Sequence, residues 1–378
     1  MKLSLKIIIR SILIALIVIT TASFTNLVDS TQSNTPDNIS WIEKTVTVDG
    51  KNYRLSYVEI DTIKKPVEIG LAFAKQRMWY RDDPDNIARY VGATAAINGP
   101  FHNESGGWSN YLFDSTIVRD TKAIRIYNSG SQFCITNSGN WYFGRLRFKM
   151  MGAVEEDLLP PSLKTIHVSG LNQPTSTNST VLYTDDWNYY TPKDSVNVVI
   201  QGGVVTDIVT GQYMVPNGSY VLCYTGTNRE RTYAWRWPQG YLREGLHINI
   251  YWAPSEHNEV DLSKWRDCEF IFGGSPTLVM YGKPYWNPSG ENHKNWQALN
   301  CTARRTAFGI DGKGKAYMVN FLDSVKVQEM GKVLVEIGVN YAFNLDGGCS
   351  TYLWYDGQER ISNCRDLPGV LYVKPKGE

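Results

Sequence analysis

Alternating apolar and polar residues run through much of the chain and predict mainly β-structure. Residues 41–60 alternate on both sides of Asp49-Gly50, which is typical of a β-hairpin with a two-residue turn. Residues 86–91 suit a short helix. Further strands are expected at residues 67–73, 94–97, 219–224 and 246–252, and residues 123–148 show a similar pattern broken by glycine and asparagine.

The last third of the chain has the clearest pattern. Residues 305–310 and 315–322 predict two strands joined by a tight turn. Apolar residues then recur at a spacing of three or four from residue 327 to 337, which predicts a helix capped by Ser324 and ended by Gly338. Strands are expected at 341–345, 351–355 and 358–361, the last two joined at Asp356-Gly357. Because strands outnumber helices, we assign the fold class α+β, with β-rich mixed sheets and a few helices.

Two segments depart from the main domain, which we place at residues 41–373. Residues 151–218 are rich in Pro, Thr, Ser and Asn, and we interpret them as an insertion. Residues 1–23 combine a basic start, an apolar run at 12–19 and small residues at 20–23, which predicts a signal peptide or an uncleaved N-terminal anchor. A polar tether is expected at 24–40. The protein is therefore expected to be secreted or held at the cell surface.

Composition narrows the classes of partner. The chain has 38 basic and 37 acidic residues, a formal net charge of +1, and no basic block, so we expect no nucleic-acid partner. Membrane contact is expected only through an uncleaved N-terminal segment. Six cysteines in an exported chain permit disulfides in up to fifteen pairings, although free buried thiols fit equally well. Without a Cys-x-x-Cys pair, and with five scattered histidines, no metal site is predicted.

A glycine-rich motif at residues 344–351, Asn-Leu-Asp-Gly-Gly-Cys-Ser-Thr, is the strongest candidate for chemistry. An apolar strand would deliver the Asp346 carboxylate to its end, and Gly347 and Gly348 would let the backbone turn with N–H groups facing an anion. Ser350 and Thr351 add hydroxyl groups. The alternative is a plain turn in which Asp346 only caps a backbone amide. Spacing alone does not choose between these interpretations.

Three other motifs are weaker when each is taken alone. Asn98-Gly99-Pro100-Phe101-His102 places an amide and an imidazole on a loop, although a simple Asn-Gly turn explains it better. Gly273-Gly274 could let backbone approach a phosphate. Arg304-Arg305-Thr306 enters an alternating strand and would put one guanidinium on each face, although strand arginines usually lie on the surface.

The order of these motifs resembles that of the phosphodiester glycosidase family. The resemblance covers about residues 93–150 and 219–373, and it is densest in "RTAFGIDGKGKAYMVNFLD" and "YAFNLDGGCST", between residues 304 and 351. The chain departs from the family pattern at two places. Asn-Gly-Pro-Phe-His stands at 98–102 where the family has Asn-Gly-Gly-Phe-Phe, and Cys349 replaces a glycine. These departures bear on the identity of the substrate more than on the type of reaction.

The resemblance implies hydrolysis of a sugar-1-phosphodiester between the anomeric carbon and the phosphate oxygen, with a glycan or sugar phosphate as substrate. It assigns catalysis to Asp346, as a carboxylate beside an oxocarbenium-like carbon, and to Arg305, as the stabiliser of the leaving phosphate. We expect these two groups to converge on one cleft beside the 98–102 loop. The expected substrate-binding residues are Asn98, Gly99, His102, Gly273, Gly274, Thr306, Asn344, Gly347, Gly348, Ser350 and Thr351.

No cofactor is required by this chemistry. Ca²⁺ or Mg²⁺ would suit carboxylates such as Asp311, Asp323 or Asp346, although Asp311 is better explained by its hairpin turn. Two other functions fit the sequence. One is a non-catalytic cell-wall or polysaccharide-binding protein, and the other is a phosphodiesterase that cuts the opposite ester bond.

Overall fold

The computed structural model describes residues 36–103, 112–155, 164–175, 177–228, 242–255, 261–265, 267–293 and 296–377. The predicted signal peptide or anchor and most of the predicted tether lie outside these residues. The chain divides into a unit at residues 1–36 and a unit at residues 37–378. All the sheets and the candidate site belong to the second unit.

The largest sheet has seven strands and contains the predicted N-terminal hairpin. Its turn residues Asp49 and Gly50 have φ values of 50° and 74°, as a two-residue hairpin turn requires. All neighbouring strands pair antiparallel. In spatial order the strands are Ile39–Val48, Lys51–Asp61, Lys315–Val325, Ala303–Ile310, Tyr341–Asn344, Thr277–Met280 and Lys283–Pro284.

The predicted C-terminal helix is present at Val327–Glu336, but its N-terminus differs from the prediction. Ser324 does not cap it, because the strand Lys315–Val325 continues past Ser324 and pairs Val325 with Ala303. Instead, the Glu329 carboxylate accepts a 2.9 Å hydrogen bond from the backbone N–H of Lys326. The predicted stop at Gly338 is confirmed by its φ of 92°.

A second sheet has five strands and combines N-terminal and C-terminal segments of the chain. Its strands, in spatial order, are Gln358–Ile361, Leu353–Tyr355, Ala95–Asn98, Gly369–Pro375 and Val67–Phe73, all antiparallel. The helix Pro84–Tyr90 packs on this sheet, and its residues Ile87 and Ala88 share a buried cluster with Tyr352 and Trp354.

The remaining strands form four smaller sheets, which confirms a β-rich α+β fold. One contains Trp141–Gly144, Ser131–Thr136, Cys268–Gly274, Ile117–Arg119 and Lys122–Arg125; another contains Thr165–His167, Arg147–Val154 and Ile248–Ser255; a third contains Gly170–Leu171, Thr180–Thr184, Ser219–Thr225, Ser195–Gln201 and Val204–Thr210; the last pairs His102–Asn103 with Leu112–Phe113. A third helix spans Trp296–Asn300, and short 3₁₀ segments span Ala74–Gln76, Asp185–Trp187, Leu262–Trp265 and Gly348–Ser350.

Four of the six cysteines are paired. Disulfides join Cys134 to Cys268 and Cys349 to Cys364, whereas Cys223 is a buried free thiol and Cys301 an exposed one. Across the described ranges, every helix is too short or too polar to span a lipid bilayer.

Candidate active site

The Asp346 turn lies where the seven-stranded sheet meets the second sheet. The strand Tyr341–Asn344 is held between two neighbours of the seven-stranded sheet, and the chain then leaves that sheet. The backbone N–H of Leu345 still donates to Thr306 O at 2.9 Å, but the N–H of Asp346 donates to Gly99 O at 3.2 Å, on the loop after the second sheet's central strand. The chain therefore crosses from the seven-stranded sheet to the second sheet at Asp346.

Asn98 fastens this crossing and is almost completely buried. Its side-chain amide donates to Asp346 O at 2.7 Å, and its oxygen accepts from the Thr306 hydroxyl at 2.7 Å and from the Tyr352 N–H at 3.2 Å. These bonds involve both the nitrogen and the oxygen of the Asn98 side-chain amide. Asn98, which was predicted to bind substrate, thus positions the backbone of the Asp346 turn.

The Asp346 carboxylate has three neighbours with N–H groups. Oδ1 accepts from the Gly347 N–H at 2.8 Å, and Oδ2 accepts from Arg365 Nη2 at 2.8 Å. His102 Nδ1 lies 3.5 Å from the same Oδ2, and its side chain is only 2% exposed. Because the Gly347 N–H already bonds the carboxylate, the predicted nest at Gly347 serves Asp346 itself. The carboxylate is therefore held by one arginine and one backbone N–H, with the His102 ring beside it.

Ser350 and a disulfide hold Arg365 in place. The Ser350 hydroxyl accepts from Arg365 Nε at 2.8 Å and from Nη2 at 2.6 Å. The disulfide between Cys349 and Cys364 ties the Asp346 turn to the loop that carries Arg365, and the Cys364 N–H donates to Cys349 O at 2.9 Å. The Arg365 side chain keeps 30% exposure, so the guanidinium is fixed on one side and reaches solvent on the other.

A second carboxyl group, that of Asp114, belongs to the same electrostatic cluster. Burial raises the pKa of Asp114 to about 6; the positive charge of Arg125 opposes this rise, and the negative charge of Asp346 adds to it. The backbone holds Asp114 on the predicted loop, since its N–H donates to Phe101 O at 2.7 Å. Two carboxyl groups therefore share one region in unlike surroundings.

The Arg305 side chain lies beside Gly347, but its guanidinium binds backbone carbonyl groups and the arginine on Asp346 is Arg365, which corrects the expectation that Arg305 and Asp346 converge. Arg305 Nη2 donates to Ala298 O at 2.7 Å and to Cys301 O at 2.5 Å, and its Nε donates to Val325 O at 3.2 Å. The side chain is 2% exposed. Alternation along the strand explains the difference, because Thr306 faces Asn98 and Arg305 therefore points to the opposite face. There its guanidinium binds carbonyl groups at the end of the helix Trp296–Asn300.

Several other predicted binding residues are enclosed. Asn344, Thr306 and Thr351 are completely buried, and the Thr306 hydroxyl also accepts from Asn320 Nδ2 at 3.2 Å. In the described part of the chain, these side chains shape the turn and present no surface to a ligand.

The predicted glycines have packing roles. Gly273 N–H donates to the Ser115 hydroxyl at 2.8 Å, which anchors the segment that carries Asp114. A Cβ on Gly274 would lie 2.3 Å from a carbon of the Phe343 ring, so this position requires glycine for close packing. Gly348 has a φ of 62°, a conformation that suits the sharp turn after Asp346.

Two of the carboxylates considered as cation ligands, those of Asp311 and Asp323, have separate structural roles. Asp311 Oδ1 accepts from the N–H groups of Lys313 at 2.7 Å and Lys315 at 2.9 Å, which is the hairpin-turn role. Asp323 forms an ion pair with Arg54 at 2.8 Å. Within the described residues, no group of three or more His, Cys, Asp or Glu side chains is arranged to hold a metal ion.

Arg365 and Asp114 were missed by sequence reasoning. Arg365 directly follows Cys364, and pairing of Cys364 with Cys349 would have placed it beside Asp346, but the cysteine count allowed fifteen pairings. Asp114 follows a strand of only two residues, Leu112–Phe113, which is too short to give a periodic signal. Neither residue stood out in the sequence.

The fold and the site together define a class. A turn of glycines presents a carboxylate paired with arginine, and a second carboxyl group with a raised pKa stands in the same cluster. Two carboxyl groups in unlike surroundings are the donor set that hydrolases acting on glycosyl bonds use.

Comparison with known proteins agrees with that class. Residues 194–374 match the family model of phosphodiester glycosidases, which confirms the resemblance carried by the motifs between residues 304 and 351. No curated protein matches the chain.

Solved structures support the fold. A hypothetical protein from Synechocystis aligns over 91% of this chain with a TM-score of 0.76 and 20% identity, and this chain spans 63% of that protein. A protein from Burkholderia pseudomallei K96243 aligns over 86% of this chain and 74% of its own, with a TM-score of 0.66 and 16% identity. The catalytic domain of zebrafish N-acetylglucosamine-1-phosphodiester alpha-N-acetylglucosaminidase, auto-inhibited by its pro-peptide, aligns over 91% and 85% at 15% identity, but its TM-score is only 0.47. The fold similarity therefore rests on the first two.

Proposed function

We propose that this protein hydrolyses a sugar-1-phosphodiester at the bond between the anomeric carbon and oxygen, releasing the sugar and a phosphomonoester. One observation carries the proposal. Asp346 is paired with Arg365 at 2.8 Å, whereas burial raises the pKa of the neighbouring Asp114 to about 6. One carboxyl group thereby faces a cation while the other can keep a proton at mildly acidic pH, and this division suits acid and base roles.

Asp346 is the residue assigned to the anomeric carbon. As that carbon becomes positively charged in the transition state, a fixed carboxylate can stabilise it, form a bond to it or activate water. His102 lies against the same oxygen and would keep the carboxylate in one orientation. The Asn98 bond to Asp346 O holds the backbone beneath it.

Arg365 takes the phosphate role first assigned to Arg305. The leaving phosphate gains negative charge, and the planar guanidinium of Arg365, whose side chain keeps 30% exposure beside Asp346, can bind it. Asp114 in its protonated form is assigned as the donor to the leaving oxygen. Because phosphate is already a fair leaving group, a general acid with a pKa near 6 is sufficient for this step.

We also propose that the enzyme acts outside the cytoplasm. The basic, apolar and small-residue pattern of residues 1–23 supports export. The disulfides Cys134–Cys268 and Cys349–Cys364 fit an oxidising compartment. Fractionation of the producing cells, with N-terminal sequencing of the recovered protein, tests the proposal; a reduced, full-length protein recovered only from cytoplasm contradicts it.

The central experiment is product analysis with Asp346→Asn. The wild type is incubated with a panel of sugar 1-phosphodiesters in ¹⁸O-labelled water, and the phosphomonoester and sugar are analysed by mass spectrometry. We expect the label in the sugar and a loss of turnover of at least about a hundredfold in Asp346→Asn. Asp356→Asn is the matched control, because Asp356 is exposed in a turn at φ 52°, a conformation that asparagine adopts readily.

The outcomes separate the alternatives. Label in the phosphate would mean cleavage of the other ester bond, as in a phosphodiesterase. Undiminished turnover by Asp346→Asn would remove Asp346 from the mechanism. Glycan binding by the wild type with no product after long incubation would favour a non-catalytic binding protein.

A further inference from the structure

A cleft of about 520 Å³ lies beside the candidate active site and was not suggested by any sequence motif. Residues 126–128 and the strand Arg147–Val154 line one part, and residues 167–171 line another. The volume falls in the range of roughly 300–1,000 Å³ typical of ligand pockets. The second wall comes from the segment interpreted as an insertion.

Arg125 joins this wall to the Asp114 segment. It is buried, its Nε donates to Phe113 O at 2.6 Å, and its Nη1 donates to Asn172 O at 3.2 Å. Phe113 precedes Asp114 in the chain, and Asn172 follows the cleft residue Leu171. One guanidinium therefore fixes the distance between the proposed general acid and the cleft.

A second set of contacts connects the cleft wall to the 98–102 loop. Asn292 lines the cleft, and its Nδ2 donates to the backbone of Asn128 at 3.4 Å. The next residue, His293, is buried; its Nδ1 lies 2.9 Å from the Ser275 hydroxyl, and its ring packs edge-on against Phe101 at 5.7 Å between centroids. Phe101 precedes His102, the neighbour of Asp346. Two chains of contacting residues thus connect the walls of the cleft to the candidate site.

The charges along the cleft point to an anionic ligand. Met151 pairs with His167, so Lys149, Met151 and His167 project from one face of the three-stranded sheet. Lys149 and His167 are exposed and line the cleft, and none of its lining residues is a carboxylate. Arg147 belongs to the same face, whereas Glu155, at the far end of the strand, binds Asn249.

We propose that this cleft binds a second phosphate-bearing unit of the substrate, beyond the bond that is cleaved. The enzyme would then prefer an oligomer of phosphodiester-linked sugars to a single unit. Lys149 contacts the second phosphate, and the Tyr127 ring in the wall contacts the sugar. The inference rests on the proposed function for its catalytic readout, but binding tests it independently.

The experiment compares two defined substrates. One is the methyl phosphodiester of N-acetylglucosamine 1-phosphate, and the other is a trimer of N-acetylglucosamine 1-phosphate units joined by phosphodiesters. Lys149→Glu is expected to raise KM for the trimer about tenfold, because a surface attraction is replaced by a repulsion, with kcat unchanged. KM for the single unit should not change. Lys193→Glu is the matched control, an exposed lysine outside the cleft.

Each outcome is decisive. An equal rise of KM for both substrates, or no rise for either, overturns the inference, and Lys149→Gln with an unchanged thermal midpoint guards against misfolding. If the wild type turns over neither substrate, the proposed function fails separately. Calorimetry with the trimer then decides the cleft: binding that is lost in Lys149→Glu and weakened by salt supports it, and absence of wild-type binding overturns it.

Discussion

Replacing Asp114 by asparagine should stabilise the protein at high pH while abolishing its activity. The carboxyl group of Asp114 has its pKa raised from 3.8 to about 6, chiefly by burial. Asparagine has the same shape and no charge. The substitution therefore removes the unfavourable ionisation together with the proton that the proposed reaction uses.

The magnitude follows from the pKa. In the unfolded chain Asp114 titrates near 3.8, and in the folded protein near 6. Below the unfolded pKa both states are protonated, and the group costs nothing. As the pH rises through the folded pKa, the folded protein must ionise a buried carboxyl group, which costs about 3 kcal/mol at 1.36 kcal/mol for each pKa unit. The favourable effect of Arg125 is already contained in this net value.

The assay is denaturant unfolding of the wild type and Asp114→Asn at pH 4.5, 6 and 8. The variant should exceed the wild type by about 1 kcal/mol at pH 4.5 and by about 3 kcal/mol at pH 8, because the cost builds up between the unfolded and the folded pKa. Asp356→Asn is the control, and its difference from the wild type should not depend on pH in this way. Turnover by Asp114→Asn should fall, and wild-type turnover should fall as the pH rises above about 6.

One result would refute this reasoning. If the stability difference between Asp114→Asn and the wild type is the same at pH 4.5 and 8, burial does not raise the pKa of Asp114. Full activity of the variant would leave the stability argument intact but would remove Asp114 from the general-acid role.

Three further predictions concern the surroundings of Asp346. Arg365→Met should lower kcat at least about a hundredfold and cost about 1–3 kcal/mol, because it leaves a mostly buried carboxylate without its cation; kinetics and urea unfolding measure this, and kcat within threefold of wild type would contradict it. Replacing Cys349 and Cys364 by serine should lower the free energy of unfolding by about 3 kcal/mol, since the bond closes a loop of 15 residues. It should also lower kcat while changing KM little. A kcat equal to that of the wild type would mean that Arg365 is positioned without the disulfide. Gly274→Ala should cost several kcal/mol, because the new Cβ would lie 2.3 Å from Phe343; an unchanged thermal midpoint would contradict that packing.

Local pattern was sufficient for the N-terminal hairpin and for most elements between residues 303 and 361. The strand at Val67–Phe73 and the strand at Gln358–Ile361 have the predicted bounds, and the turn at Asp49-Gly50 joins the predicted hairpin. These features depend on neighbours in sequence: alternation places side chains on two faces, and Asp-Gly adopts positive φ at little cost. The helix start was wrong because the capping carboxylate, Glu329, lies inside the helix and strand pairing extends over Ser324.

In the candidate site, too, some features follow from local sequence and others depend on the tertiary structure. The sequence by itself determined that a strand would end at a carboxylate followed by two glycines, and its motif order carried the resemblance to phosphodiester glycosidases that the family model matches over residues 194–374. Which groups surround that carboxylate was decided only by tertiary structure. Alternation assigned Arg305 and Thr306 to opposite faces but could not say which face would meet Asp346. The partner, Arg365, is brought there by a disulfide, and the pKa of Asp114 is raised by burial that many distant segments create together. Charge pairing and desolvation depend on distances across the fold, which no local spacing records.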